Sequence, residues 1–133
     1  MIRIQPKFTS SLQAGSQPTR APRLIALGGG KGGVGKTFVT TNVAVTLARM
    51  GHRVVAMDAD LDGANLHTCL GVANPEVSLA DFVAGRVNEP AKLLIQTRES
   101  NLQLIAGTHS NLHQPQPDKT RRVELLRGLR RLD

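Results

Sequence analysis

An α/β fold, a parallel sheet with helices on both faces, is predicted by three observations. A glycine-rich stretch is wedged between a short apolar run and a helical pattern. A second apolar run ends in acidic residues, and strand-like runs then alternate with helix-like periods to the end of the chain. Alternation of this kind builds a sheet whose crossovers are helical and whose strands are buried on both faces. The length of 133 residues suits one domain, and 40% hydrophobic residues suffice for a core. One cysteine excludes an internal disulfide, which suits a reducing cytoplasm. No apolar run approaches the ~20 residues of a membrane span, and the first residues lack the apolar centre of a signal peptide.

In chain order, residues 1–22 are rich in Gln, Ser, Thr and Pro, with little periodicity beyond Ile2 and Ile4, and read as a flexible basic leader. The folded portion is expected over residues 23–133. Leu24 to Leu27 reads as a buried parallel strand. From Gly30 to Thr37 the chain then matches G-x-x-x-x-G-K-[ST], a pattern expected by chance in roughly one of a few hundred chains of this size. After it, Phe38, Val39, Val43, Leu47 and Met50 repeat at helical spacing, and Gly51 stands where a left-handed cap would stop the helix.

Strand, glycine loop and helix place successive backbone N–H groups and the positive end of a helix dipole around a polyphosphate. Bulky side chains would block that approach. The expected nucleotide-binding residues are Gly30, Lys31, Gly32, Gly33, Val34, Gly35, Lys36 and Thr37. Lys36 would reach the β- and γ-phosphates, and the Thr37 hydroxyl would bind Mg²⁺. Gly28, Gly30 and Gly33 also satisfy the dinucleotide pattern G-x-G-x-x-G, but that reading leaves Lys36 and Thr37 unused.

Val54 to Met57 forms the next strand and delivers Asp58-Ala59-Asp60 to its C-terminal end, the edge where ligands bind in open parallel sheets. Carboxylates there hold the hydration shell of Mg²⁺ and orient an attacking water. Further on, Ser78-Leu-Ala-Asp81 resembles a capping box opening a short helix with Leu79, Phe82 and Val83. Leu93-Leu94-Ile95 is ambiguous, Leu102 to Ala106 reads as a strand, and Gly107 to Pro117 as a loop. Asp118 would cap a last helix with an apolar stripe of Val123, Leu125, Leu126, Leu129 and Leu132 and an arginine-rich outer face. His67 and Cys69 lack zinc-site spacing, and Cys69 is expected to be a small buried residue.

The additional lysine inside the loop, in Lys31-Gly-Gly-Val-Gly-Lys36-Thr37, resembles the deviant Walker A box of the MinD/ParA family of P-loop ATPases. Asp58-Ala-Asp60-Leu-Asp-Gly-Ala-Asn65-Leu-His is similar to that family's switch I stretch, particularly in its MinD and flagellar-number regulator branch. The resemblance implies a P-loop NTPase fold, ATP and Mg²⁺ as cofactors, and an ATP-dependent homodimer in which Lys31 acts in trans. It further implies catalytic roles for Lys31, Lys36 and Asp60 and a metal-side role for Thr37 and Asp58; Asp62 receives none. The family function would be ATP hydrolysis driving a dimerisation switch that positions a cellular structure such as the flagellum or division site. The expected location is the cytoplasm, peripheral to the membrane where a C-terminal part supplies contact. The resemblance ends before the switch II strand, so residues 23–133 read as the N-terminal portion of such a domain, and binding without turnover is the expectation for this portion alone. A DNA-partitioning ATPase is the alternative. The net charge of +7 is concentrated early, the first acid being Asp58; a solvated basic surface is the expected reading, with non-specific DNA contact as the alternative. The absence of Trp and Tyr removes base stacking from that reading.

Overall fold

The computed structural model describes residues 1–5, 22–61, 63–108 and 118–132. Five strands form one sheet: β1 (Ile2–Gln5), β2 (Arg23–Ile25), β3 (Arg53–Met57), β4 (Ile95–Gln96) and β5 (Leu102–Ile105), in the order β2-β1-β3-β5-β4. Around them lie α1 (Lys36–Arg49), α2 (Leu66–Cys69), α3 (Leu79–Val83), a 3₁₀ turn at Pro90–Leu93, and α4 (Lys119–Arg131). The α/β architecture is the expected one. Only β3 and β5 pair in parallel, however, so the sheet is mixed.

The reason is β1, which lies antiparallel to both β2 and β3 in the segment expected to be a flexible leader. Ile2 is fully buried and Ile4 half-buried, an alternation too short to stand out in a polar stretch. Between them Arg3 is buried at 3% exposure, with its guanidinium donating to the Leu132 carbonyl. Gln5 Nε2 donates to the same carbonyl at 2.9 Å. This strand also displaces the expected role of β2. The run from Leu24 to Leu27 is not a buried parallel strand but contributes to a short antiparallel edge strand, and Ile25 is 39% exposed. The remainder of the leader, residues 6–21, lies outside the described residues, as do Asp62, His109 and His113.

Because strand side chains alternate, β3 feeds two cores. Val54 and Ala56, with Ile2, Leu102 and Leu104, meet Ala44 and Ala48 of α1 and Leu66 of α2. Val55 and Met57, with Ile105, meet Leu79 and Phe82 of α3, Leu93 and Leu129 of α4. The face of α1 that packs is Thr40, Ala44 and Ala48, small residues that let the helix lie close to the sheet, whereas Phe38 stays 72% exposed. Gly51 ends α1 at φ 86°, as its sequence position implied. Asp118 Oδ1 accepts from the Arg121 N–H at 2.7 Å and so caps α4. Within α4, Gly128 permits close approach to Pro90: a Cβ there would meet the ring Cγ, with Cδ at 3.0 Å.

The capping box is also present. One Asp81 oxygen accepts from the Ser78 N–H at 2.8 Å and from the Ser78 hydroxyl at 3.0 Å, while the other meets Arg86 at 2.7 Å. Burial works against the Asp81 carboxylate, but the bonds from Arg86 and Ser78 outweigh it and hold its pKa below the ordinary value. Among the described residues, no helix is long and apolar enough to cross a membrane.

Candidate functional site

The glycine loop crosses from β2 to α1 as a series of bends. Gly33 and Gly35 have φ of 74° and 84°, left-handed conformations that a Cβ would disfavour. A Cβ built at Gly28, Gly30, Gly32, Gly33 or Gly35 would meet nothing within 4 Å, so one side of the loop backbone is open to a ligand. At its end Lys36 Nζ donates to the Lys31 carbonyl at 3.2 Å, which folds the ammonium back over the loop.

Across from the loop, β3 carries Asp58 to the sheet's edge, where three backbone N–H groups hold it. Asp60 donates to Oδ1 at 3.1 Å, and Asn65 and Leu66 each donate to Oδ2 at 3.1 Å. A carboxylate has about four lone-pair sites, so this one is oriented with little capacity to spare. Asp60 Oδ1 accepts from the Gly63 N–H at 3.0 Å, closing the same loop. The two sides are bridged where the Thr37 hydroxyl donates to Asn65 Oδ1 at 3.0 Å.

Lys36, Thr37, Asp58, Asp60 and Asn65 all line one cleft, with Leu27, Thr40, Met57 and Met1 among its other walls. The cleft holds about 120 Å³. The Met1 ammonium donates to the Met57 carbonyl at 2.7 Å; burial lowers its pKa, against the attraction of Asp58. The cleft is lined by the ammonium-bearing Lys36 and hydroxyl-bearing Thr37 from one segment and by the carboxylate-bearing Asp58 and Asp60 from the other, while residues 28–35 of the loop are not among its walls. Oxygen ligands suit a hard divalent cation, and the Lys36 ammonium suits the phosphate that accompanies it. The residues present therefore fit a phosphate and Mg²⁺ together.

The structure thus brings together four of the residues singled out in the sequence. Lys31 is exposed and does not line the cleft. Cys69 is exposed rather than buried, and among the described residues no group of three or more His, Cys, Asp or Glu could hold a metal. Two further residues come from the fold. Asn65 bridges the loop to the acidic segment, a contact spanning 28 positions that no local pattern signals. Gly107, at the end of β5, lies against the Asp58–Ala64 turn so closely that a Cβ would sit 2.7 Å from Ala64 Cβ, 3.1 Å from the Asp58 carbonyl and nearer still to that of Asp60.

Comparison with known proteins agrees with this geometry. The antiactivator FleN of Pseudomonas aeruginosa is 44% identical over 92 residues, 68% of this chain and 32% of that protein. The chloroplastic septum site-determining protein MinD homologue of Arabidopsis thaliana is 40% identical over 100 residues, 72% of this chain and 31% of its own. Among solved structures, the cell division ATPase MinD of Pyrococcus furiosus superposes with a TM-score of 0.56 at 36% identity, over 72% of this chain and 37% of that one. The septum site-determining protein MinD of Pyrococcus horikoshii, solved as a complex with Mg-ADP, gives a TM-score of 0.56 at 34% identity over 72% and 36%. The chain thus spans about a third of the length of these relatives. The family model for the CobQ/CobB/MinD/ParA nucleotide binding domain matches residues 25–129, and to that family this chain belongs.

Proposed function

We propose that this chain forms the Mg²⁺-ATP-binding part of a MinD/ParA-type ATPase. The observation that carries the reading is the convergence of Lys36, Thr37, Asp58 and Asp60 on one cleft from two segments of the chain. In this reading the N–H groups of Gly30, Lys31, Gly32, Gly33, Val34 and Gly35 surround the phosphates, where the glycine backbone is open. Lys36 turns from the Lys31 carbonyl to the β- and γ-phosphates, gaining charge-assisted bonds in place of a neutral one. Thr37 supplies a hydroxyl ligand to the cation, and Asp58, already held by three amides, faces the cation's water shell. Mg²⁺ supplies neutralisation of the charge that develops on the phosphates.

Asp60 orients the hydrolytic water by accepting its proton contact, and Lys31, exposed and outside the cleft, reaches the nucleotide of a second copy across an ATP-dependent dimer. The dimerisation cycle positions a cellular structure, in keeping with relatives that are a FleN antiactivator and septum site-determining proteins. Its setting is the cytoplasm, with membrane contact made only through a part of the protein beyond these residues.

The test is calorimetry with ATP, ADP and GTP in Mg²⁺, on the chain as given and on Lys36→Ala, with phosphate release followed alongside. Loss of the charge-assisted phosphate contacts is expected to weaken ATP binding at least tenfold in Lys36→Ala. Equal affinity in the two proteins would overturn the assignment.

A further inference from the structure

The contact between Thr37 and Asn65 has a directional consequence. A hydroxyl has one proton to donate and two lone pairs to offer. Thr37 spends its proton on Asn65 Oδ1 at 3.0 Å, and the lone pairs are left for a cation in the cleft that both residues line. The alternative for a helical threonine is visible one turn along α1, where Thr40 donates to the Lys36 carbonyl at 2.8 Å. A hydroxyl turned onto its own helix in that way no longer aims its lone pairs at the pocket. Asn65 is itself fixed, because its backbone N–H and that of Leu66 are bound to Asp58 Oδ2 at 3.1 Å. The same short segment therefore orients two of the oxygen groups that line the cleft, Thr37 through a side chain and Asp58 through the backbone.

We infer that Asn65 is a positioning residue for cation binding: its side-chain carbonyl sets the rotamer of the Thr37 hydroxyl, so that Mg²⁺ meets a preoriented lone pair. The inference rests on the nucleotide-binding reading above, and it makes a narrower claim. Asn65 should govern the gain in affinity that Mg²⁺ confers, not the affinity of the phosphates for the loop. Removing its side chain leaves the backbone bonds to Asp58 in place, which separates this role from a general support of the turn.

The experiment measures ADP affinity by calorimetry in Mg²⁺ and in EDTA for the chain as given, Asn65→Ala and Asn65→Asp, with urea unfolding as a check on the fold. Loss of one hydrogen bond corresponds to about a five- to tenfold effect. Asn65→Ala is expected to lose that much of the Mg²⁺-dependent gain with its EDTA affinity unchanged. Asn65→Asp, which keeps an acceptor at the same place, is expected to retain the gain. A gain kept in full by Asn65→Ala, an equal fall with and without Mg²⁺, or a gain lost equally in Asn65→Asp would overturn the positioning role while leaving nucleotide binding standing. A chain as given that binds ADP without any Mg²⁺-dependent gain overturns the positioning role and the cation part of the reading above; one that binds no nucleotide overturns both.

Discussion

Substituting Gly107 with alanine would place a methyl group in the one gap between the end of β5 and the acidic turn. The new Cβ would stand 2.7 Å from Ala64 Cβ and 3.1 Å from the Asp58 carbonyl oxygen, with the Asp60 carbonyl closer again. Ordinary carbon contacts lie at about 3.5–4.0 Å, so the turn must retreat by about 1 Å. None of the three obstacles is the loose end of a long side chain. Two are backbone carbonyls, and the third is a methyl attached directly to the backbone, while Ala106 beside Gly107 is fully buried. Overpacking of this kind costs about 1–3 kcal/mol. With a urea dependence of about 1.5 kcal/mol/M, the unfolding midpoint should fall by about 0.7–2 M. The shift is also aimed at the site, because the displaced atoms belong to Asp58 and Asp60. A movement of ~1 Å at positioned groups costs up to about a hundredfold in function, so Mg²⁺-dependent nucleotide affinity should fall together with stability. Urea unfolding followed by circular dichroism and calorimetry with Mg²⁺-ADP measure the two effects. An unchanged midpoint with unchanged affinity would refute the tight approach of β5 to this turn.

Two further substitutions test the frame around the site. Asp81 has a depressed pKa in the folded chain, so its bonds to Ser78 and Arg86 stabilise the fold above its unfolded value near pH 3.8, and that contribution is lost as pH falls through the lower folded value. The difference in thermal midpoint between the chain as given and Asp81→Asn should therefore hold from pH 7 to about pH 4 and shrink at more acidic pH; a difference that grew on acidification would contradict the sign. Asp118→Ala removes the cap on α4 and should cost about 0.5–2 kcal/mol in urea unfolding, with no loss if the 2.7 Å bond to the Arg121 N–H is dispensable.

Local chemistry made much of this legible. A glycine at φ 86° after Arg49 and Met50, an aspartate before Lys119 and a Ser-x-x-Asp box are decided by the residues themselves, and helices α1, α3 and α4 begin or end where those signals stand. The phosphate-loop pattern and the acids after β3 likewise marked the two halves of the cleft before their proximity was visible. What failed depends on distant partners. Ile2–Gln5 carries only two apolar residues, and its Arg3 is buried through a bond to the distant Leu132 carbonyl. The edge position of β2 follows from β1 and has no signal in β2 itself. Asn65 had a place in the switch I stretch but no role of its own, and Gly107 was an ordinary loop residue; both are defined by the distant groups they meet, Thr37 and the Asp58–Ala64 turn. Cys69, expected to be a small buried residue, sits at the end of a one-turn helix that turns only Leu66 inward.

The antiparallel strand β1, set between β2 and β3, also imposes an order on synthesis. Ile2 pairs with Ile25 on one side and with Ala56 on the other. The first pairing is available once the second strand has left the ribosome, giving a two-stranded unit that is marginal alone. The second must await roughly thirty more residues, about 2–6 s at 5–20 residues per second. During that interval the glycine loop exists without the carboxylates that face it, tethered to a half-built sheet. The nascent chain therefore presents the glycine loop seconds before it has the acidic half of the cleft.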